Sequence, residues 1–240
     1  MLDANSTLTR QETYWAFTLF FRPQLTFCLG ALFLREQECI TIQIPALQAT
    51  LSKLYLNRNT SRAIIFGPPK YGGLNLPDLY TSQGISQLTL LLGHLRIGDA
   101  TGSLMLIDLS HLQLQVGSST LFLNLPYHNY AKWTESGWLP SIWQFLNRAN
   151  LKIFIRKAYV PQPQRKNDVA LMDFFLSLKY KPAVLKTLNF CRLYLQVIFL
   201  SDITTACGTE IEDDAKQGKW FLDIVSTLRW PTQQKPPQLA

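Results

Sequence analysis

Apolar positions recur along this chain mostly at helical spacing, and the first hundred residues carry the pattern most plainly. Thr9-Arg10-Gln11-Glu12 has the form of a capping box, in which hydroxyl and carboxyl satisfy each other's free backbone donors. Tyr14, Trp15, Phe17, Leu19, Phe20 and Phe21 follow in a segment apolar on nearly every side, which predicts a well-buried helix. Pro23 ends that helix or opens the next, which carries Leu25, Phe27, Cys28, Leu29, Leu32 and Phe33. A third helix is expected from Arg35 through Leu47, Leu51 and Leu54, its second half started or kinked by Pro45. Arg62-Ala63-Ile64-Ile65-Phe66 then reads as a brief extended segment and Gly67 to Gly73 as loop. After Asp78 the helical period returns, with Ile85, Leu88, Leu92 and Leu95 on one face.

Further helices are expected over Leu104 to Leu114 and Trp138 to Leu146, with a mixed stretch between Gly117 and Tyr130. Leu151 to Arg156 alternates apolar and basic residues and reads as a strand. Asn167 or Asp168 should cap a helix that turns Val169, Met172, Phe175 and Leu176 inward and ends near Lys179 and Lys181. Pro182 opens what the pattern makes the longest helix. Its stripes of Leu185, Leu188, Cys191, Leu195, Ile198 and of Phe190, Leu193, Val197 place it centrally. The fold class is therefore mainly α, a helical bundle followed by further helices with a few short strands. Composition breaks divide it at 1–57, 58–78, 79–150, 151–229 and a loose tail, 230–240.

Composition changes this picture in three respects. At 47% apolar and 16% charged residues, the 240-residue chain can bury a core and is no disordered acidic tract. Four cysteines without a Cys-x-x-Cys pair read as reduced core residues of an intracellular protein, nuclear or cytoplasmic, since a secretory leader is not apparent. Arg22-Pro23-Gln24 cuts the apolar run Tyr14 to Leu34 into pieces too short for a bilayer span, so no membrane role is expected.

Charge is the more informative property. The net charge is +7, and the basic residues cluster. Arg148 to Arg192 holds ten basic residues against Asp168 and Asp173, a net of +8; Ile40 to Ile97 holds five against Asp78, a net of +4. Such spans attract phosphates, and Tyr55, Tyr71 and Tyr159 lie among them as stacking groups. Lys152, Arg156 and Lys157 are candidate contacts in the Arg148 to Arg192 span. The bland alternative is a basic surface that only keeps the chain in solution.

Other chemistry finds little support. Pro68 and Pro69 remove donors from the glycine loop, and Leu74 follows Gly72-Gly73 where a phosphate-binding loop needs lysine. His94, His111 and His128 stand apart from one another and from any cysteine pair, which argues against zinc. Asp213-Asp214 with Asp108 could in principle hold Mg²⁺, but the polar surroundings of the pair read as solvated loop. No cofactor is expected.

Asn57-Arg58-Asn59-Thr60-Ser61-Arg62-Ala63-Ile64-Ile65-Phe66-Gly67-Pro68, then Tyr71-Gly72-Gly73-Leu74, Leu76-Pro77-Asp78-Leu79-Tyr80 and Gln83-Gly84-Ile85, resemble the region after the palm of retroelement reverse transcriptases of the non-LTR type. Phe21-Arg22-Pro23-Gln24-Leu25-Thr26-Phe27 sits where that family places a proline-anchored thumb helix. The likeness runs from about Thr9 to Arg96; Leu121 to Tyr127 and Arg192 to Thr204 resemble the same element's later part. It implies that residues 1–57 are thumb-like, that the catalytic palm lies outside this chain, and that the chain alone is no enzyme. It also implies a surface that packs on a palm and grips an RNA–DNA or DNA duplex backbone through Lys53, Arg58, Arg62 and Lys70. The alternative class is an interaction or structural protein that docks a partner chain through apolar helices, with no nucleic-acid role.

Overall fold

The computed structural model describes residues 8–211. The helices in chain order are α1 (Arg10–Ala16), α2 (Arg22–Leu29), α3 (Glu36–Lys53), α4 (Arg62–Phe66), α5 (Leu79–Ile97), α6 (Ala100–Val116), α7 (Tyr127–Tyr130), α8 (Trp138–Arg148), α9 (Leu171–Ser177) and α10 (Pro182–Leu195). The fold is mainly α. Extended pairing among the described residues comes down to two isolated bridges, Ala170–Phe199 and Thr204–Ile211. Two compact units divide the chain: one runs up to Gly102 and returns for Gly137–Phe145; the other takes Ser103–Ser136 and the chain from Leu146. The loose tail expected at 230–240 and the Asp213-Asp214 pair lie outside the described residues.

In the first unit the capping box forms as the sequence predicts: Glu12 accepts from the Thr9 N–H at 2.8 Å, and the Glu12 N–H donates to the Thr9 hydroxyl at 3.3 Å. Pro23 stands in the first turn of α2, in keeping with a proline that opens a helix. A π turn, Phe17–Phe21, joins α1 to α2 without a break in the chain's helical course. The expectation of an all-round buried helix fails. Phe17 is buried, but Leu19 is 63% and Phe20 69% exposed, and Phe27 in α2 reaches 92%. These helices lie on α3 and α5 with one face only. The core of this unit gathers Phe17, Leu47, Leu51, Ile65 and Leu76, beside a second cluster of Leu29, Cys39, Leu79, Tyr80 and Phe145.

α5 buries a different face from the one its leucines suggest. Ile85 and Leu92 are exposed, while Gln83, Gly84, Gln87 and Leu91 point inward. The glutamines earn that place by closing backbone bonds that no sheet provides. Gln83 accepts from the Leu34 N–H at 3.0 Å and donates to the Leu34 carbonyl at 2.9 Å. Gln87 donates to the Leu32 carbonyl at 2.6 Å and to the Ser141 hydroxyl at 2.9 Å. From α3, Gln43 accepts from the Leu79 N–H at 3.1 Å and donates to the Pro77 carbonyl at 2.6 Å, securing the start of α5. Gly84 lets the Phe145 ring lie against the helix, since a Cβ there would fall 2.3 Å from the ring.

The second unit uses the same device. Gln113 in α6 accepts from the Phe122 N–H at 2.8 Å and donates to the Ser118 and Thr120 carbonyls at 2.8 and 2.9 Å. Asn147 accepts from the Tyr127 N–H at 3.0 Å and donates to the Leu125 carbonyl at 2.7 Å. α10 is neither the longest helix nor buried along its apolar stripes: it spans 14 residues against 19 for α5, and its buried positions are Leu185, Asn189 and Arg192. Gln196, left-handed at φ 55°, ends it before Val197 and Ile198. The capped start expected at Asn167 or Asp168 also moves. Asp168 instead accepts from the backbone and hydroxyl of Ser201, the Ala170–Phe199 bridge holds the approach extended, and α9 begins at Leu171. Of the cysteines, Cys39 is a core residue as expected, but Cys28 and Cys207 are exposed; all four are free thiols. No single helix among the described residues is long and apolar enough to cross a membrane.

Candidate nucleic-acid interface

The residues from Asn57 to Asp78 fold as one small knuckle of the first unit. The Asn57 carboxamide accepts from the Asn59 N–H at 2.8 Å and its carbonyl from the Thr60 hydroxyl at 2.6 Å, which makes a tight turn with Arg58 at its tip. Ser61 then opens α4, its carbonyl accepting from the N–H groups of Ile64 and Ile65 at 3.0 and 3.1 Å. Those local bonds are why the expected extended segment at Arg62 to Phe66 is a helical turn instead. Ile65 is fully buried and anchors it. The carbonyls of Ile64, Ile65 and Gly67 receive the N–H groups of Leu74, Leu76 and Asn75 at 2.8–3.0 Å, so the glycine loop folds back onto α4. Gly72 takes φ +79°, and Gly73 lies so near Gly67 that a Cβ would sit 2.0 Å from the Gly67 oxygen.

This packing turns the basic side chains outward. Arg58, Arg62 and Lys70 are exposed; Lys53, in the last turn of α3, is half-buried with its cation at the negative end of the helix dipole. Arg62 lies 6.0 Å from the Phe66 ring centroid and the Lys70 ammonium 5.8 Å from that of Tyr71, which is itself 79% exposed. From Ile40 to Pro77 the sequence has no acidic residue, so no carboxylate within that stretch offsets its cations. Asp78, just beyond, is occupied as the cap of α5, accepting from the backbone and hydroxyl of Thr81 at 3.0 and 2.6 Å.

The second cluster belongs to the second unit. The strand expected over Leu151 to Arg156 is absent; the segment is irregular. One side chain replaces the missing neighbour: Asn124 accepts from the Ile153 N–H and donates to its carbonyl, both at 2.8 Å. With Ile153 and Ile155 turned partly inward, Lys152, Phe154, Arg156 and Lys157 are exposed, Phe154 at 87%. The sequence marked the cations there but missed Phe154, whose only signal was its place between two of them.

Other counted cations leave the surface. Arg192 is 3% exposed and donates to the Asn189 side chain at 2.8 and 3.1 Å, to the Val197 carbonyl at 3.2 Å and to the Gln115 and Leu114 carbonyls, the first at 3.0 Å. These carbonyls end α6 and follow α10, so two helix C-termini surround the guanidinium in place of a carboxylate. Burial still lowers its pKa to about 10. Arg165 is held by Thr204, donating to its hydroxyl at 3.3 Å and its carbonyl at 3.2 Å. The Mg²⁺ candidate Asp108 is exposed on α6, and among the described residues no three His, Cys, Asp or Glu side chains gather as a metal set. His94 pairs with Asp99 at 2.7 Å, which also accepts from the Gly102 N–H at 2.7 Å as a cap of α6.

Comparison with known proteins finds no matching family model, no matching curated protein and no matching solved structure.

Proposed function

We propose that this chain is a non-catalytic, thumb-like part of a retroelement reverse transcriptase that holds nucleic acid by its phosphate backbone. The observation that carries the reading is the knuckle of residues 57–78, where the residues of the resemblance fold together and leave Arg58, Arg62 and Lys70 outward, its one acid, Asp78, being taken up as the cap of α5. The Lys152–Lys157 segment supports it independently, with cations and an aromatic ring exposed side by side. Guanidinium and ammonium groups so placed displace condensed counterions from a polyphosphate, and the gain falls as salt rises. A palm domain carried elsewhere is the natural neighbour of such a piece. The test is a titration of labelled RNA–DNA duplex at two salt concentrations. Binding that weakens with salt is expected, and replacing Arg58, Arg62 and Lys70 by glutamine should lower the log–log slope by about 1 per lost phosphate contact. Absence of binding at low salt, or binding indifferent to salt, overturns the reading.

The exposure of Leu19, Phe20 and Phe27 on the first helices favours a second reading, in which that surface docks a partner chain and the positive charge is incidental. Sizing chromatography separates the two, because association through apolar faces persists when salt is raised.

A further inference from the structure

The second unit contains an open cavity of about 470 Å³ between the loop following the basic segment and the turn after α10. Tyr159, Gln162, Gln164, Arg165, Ser201 and Asp202 are among its lining residues. Its volume suits a single nucleoside, and its lining is of the kind that reads one, with the Tyr159 ring, the primary amides of Gln162, Gln164 and Gln196, and the Asp202 carboxylate. Tyr159 is half exposed, so its ring has a face available. Asp202 accepts from the Ile198 and Phe199 N–H groups through one oxygen, both at 2.8 Å. That carboxylate repels phosphate but accepts readily from the amino group of a base. Cations are close by in the sequence: Arg156 and Lys157 stand three and two residues before Tyr159, and Lys166 follows Arg165.

Resting on the backbone-binding reading above, we infer that this cavity receives one unstacked base of a single strand while the neighbouring cations hold its flanking phosphates. The second unit then prefers single-stranded nucleic acid, or the unpaired end of a duplex, to continuous duplex, because a paired base cannot enter. A base stacked on one aromatic ring is expected to tighten binding by about 5- to 150-fold.

The experiment compares a fluorescein-labelled mixed-sequence strand of about ten nucleotides, the same strand annealed to its complement, and an abasic version of it, using the full chain and anisotropy at fixed low salt. The expected order of affinity is single strand above both duplex and abasic strand. Tyr159→Ala should abolish that preference and leave duplex binding within about twofold, while Tyr159→Phe keeps it. The cations are tested separately: Lys152, Arg156 and Lys157 replaced by glutamine should weaken all three ligands alike. If the cation variant weakens every ligand but Tyr159→Ala leaves the single-strand preference unchanged, the cavity inference is wrong and the backbone grip stands. Equal affinity of the unaltered chain for all three ligands has the same meaning. If no ligand binds, both readings fall together. Tyr159 lies on a loop outside the core, and a circular-dichroism melt of each variant confirms that it folds.

Discussion

Gly117→Ala tests whether a buried guanidinium really closes the second unit. Gly117 follows α6 at φ +68°, and a Cβ there would lie 2.7 Å from Cζ and 2.9 Å from Nε and Nη2 of Arg192. A free arginine would swing aside, but this one is held by Asn189 and by the carbonyls of Leu114, Gln115 and Val197. Left-handed backbone alone costs alanine about 1 kcal/mol. Pushing the guanidinium off its carbonyls leaves buried acceptors short of a donor, adding about 2–3 kcal/mol. The single substitution should therefore cost about 3–4 kcal/mol in urea unfolding followed by circular dichroism. In an Arg192→Met background the stem remains and the obstacle is gone, so the same change should cost only the backbone's ~1 kcal/mol. The difference is the coupling between the two positions. A coupling below about 0.5 kcal/mol would refute the clamp and reduce Gly117 to an ordinary helix stop.

Four further outcomes follow from other contacts. Gly84→Ala, which normally firms a helix by about 0.5–1 kcal/mol, should instead destabilise by about 1–3 kcal/mol because its methyl meets the Phe145 ring; thermal melts decide the sign. In the knuckle, Gly73→Ala should cost more stability than Gly72→Ala, since the first drives a Cβ into the Gly67 backbone while the second has open space and only its φ to strain. The bonds Asp99 accepts, first from the Gly102 N–H and then from His94, hold its pKa below the ordinary carboxylate value. A lowered folded pKa contributes stability above the unfolded value that is lost as pH falls through the folded one, so Asp99→Asn should lower stability at neutral pH and flatten the acid limb of the stability curve. Among the thiols, hydrogen bonds from Thr205 and then Thr209 bring Cys207 down to about 7, while burial takes Cys39 up to about 11. Iodoacetamide at neutral pH should therefore mark Cys207 first and reach Cys39 only on unfolding, as peptide mass mapping would read.

Helices were legible where local rules and packing agree. The capping box at Thr9, the α3 positions Leu47 and Leu51 and the turn around Gly72 all form from short-range signals. Faces were not legible. Periodicity assigns the inner face to the greasiest stripe, yet α5 turns Gln83 and Gln87 inward and α10 turns Asn189 and Arg192 inward. The cause is tertiary: irregular segments such as those at Leu34, Ile153 and Phe122 lie against the helices, and their backbone groups need partners at that depth. A side-chain amide carries donor and acceptor together and can pair with one residue's N–H and C=O, which no aliphatic residue can do. At the irregular segment Leu151 to Arg156, where the pattern predicts a strand, the Asn124 amide takes the place of a strand neighbour at Ile153. The cations of the candidate interface were legible as a list, but sequence alone could not separate Arg156 on the surface from Arg192 in the core.

The two exposed apolar surfaces differ in a way that bears on what each meets. Leaving a large ring unburied forgoes about 1.5–3 kcal/mol that folding could have gained. Where a surface serves only solubility, nothing recovers that loss. Tyr71 next to Lys70, and Phe154 between Lys152 and Arg156, join each unburied ring to a cation. A ligand carrying phosphates and flat apolar faces recovers both at once. The run from Trp15 to Phe27 has Arg22 as its single cation, so it offers apolar area with little charge and suits a protein face. Salt therefore acts on them in opposite senses: it screens the first kind of contact and leaves the second intact or firmer. A chain that binds duplex at low salt and self-associates at high salt would be using both surfaces, whereas loss of both responses in a Phe20→Ser, Phe27→Ser variant would mean that nucleic acid is held only by an assembly built on the apolar face.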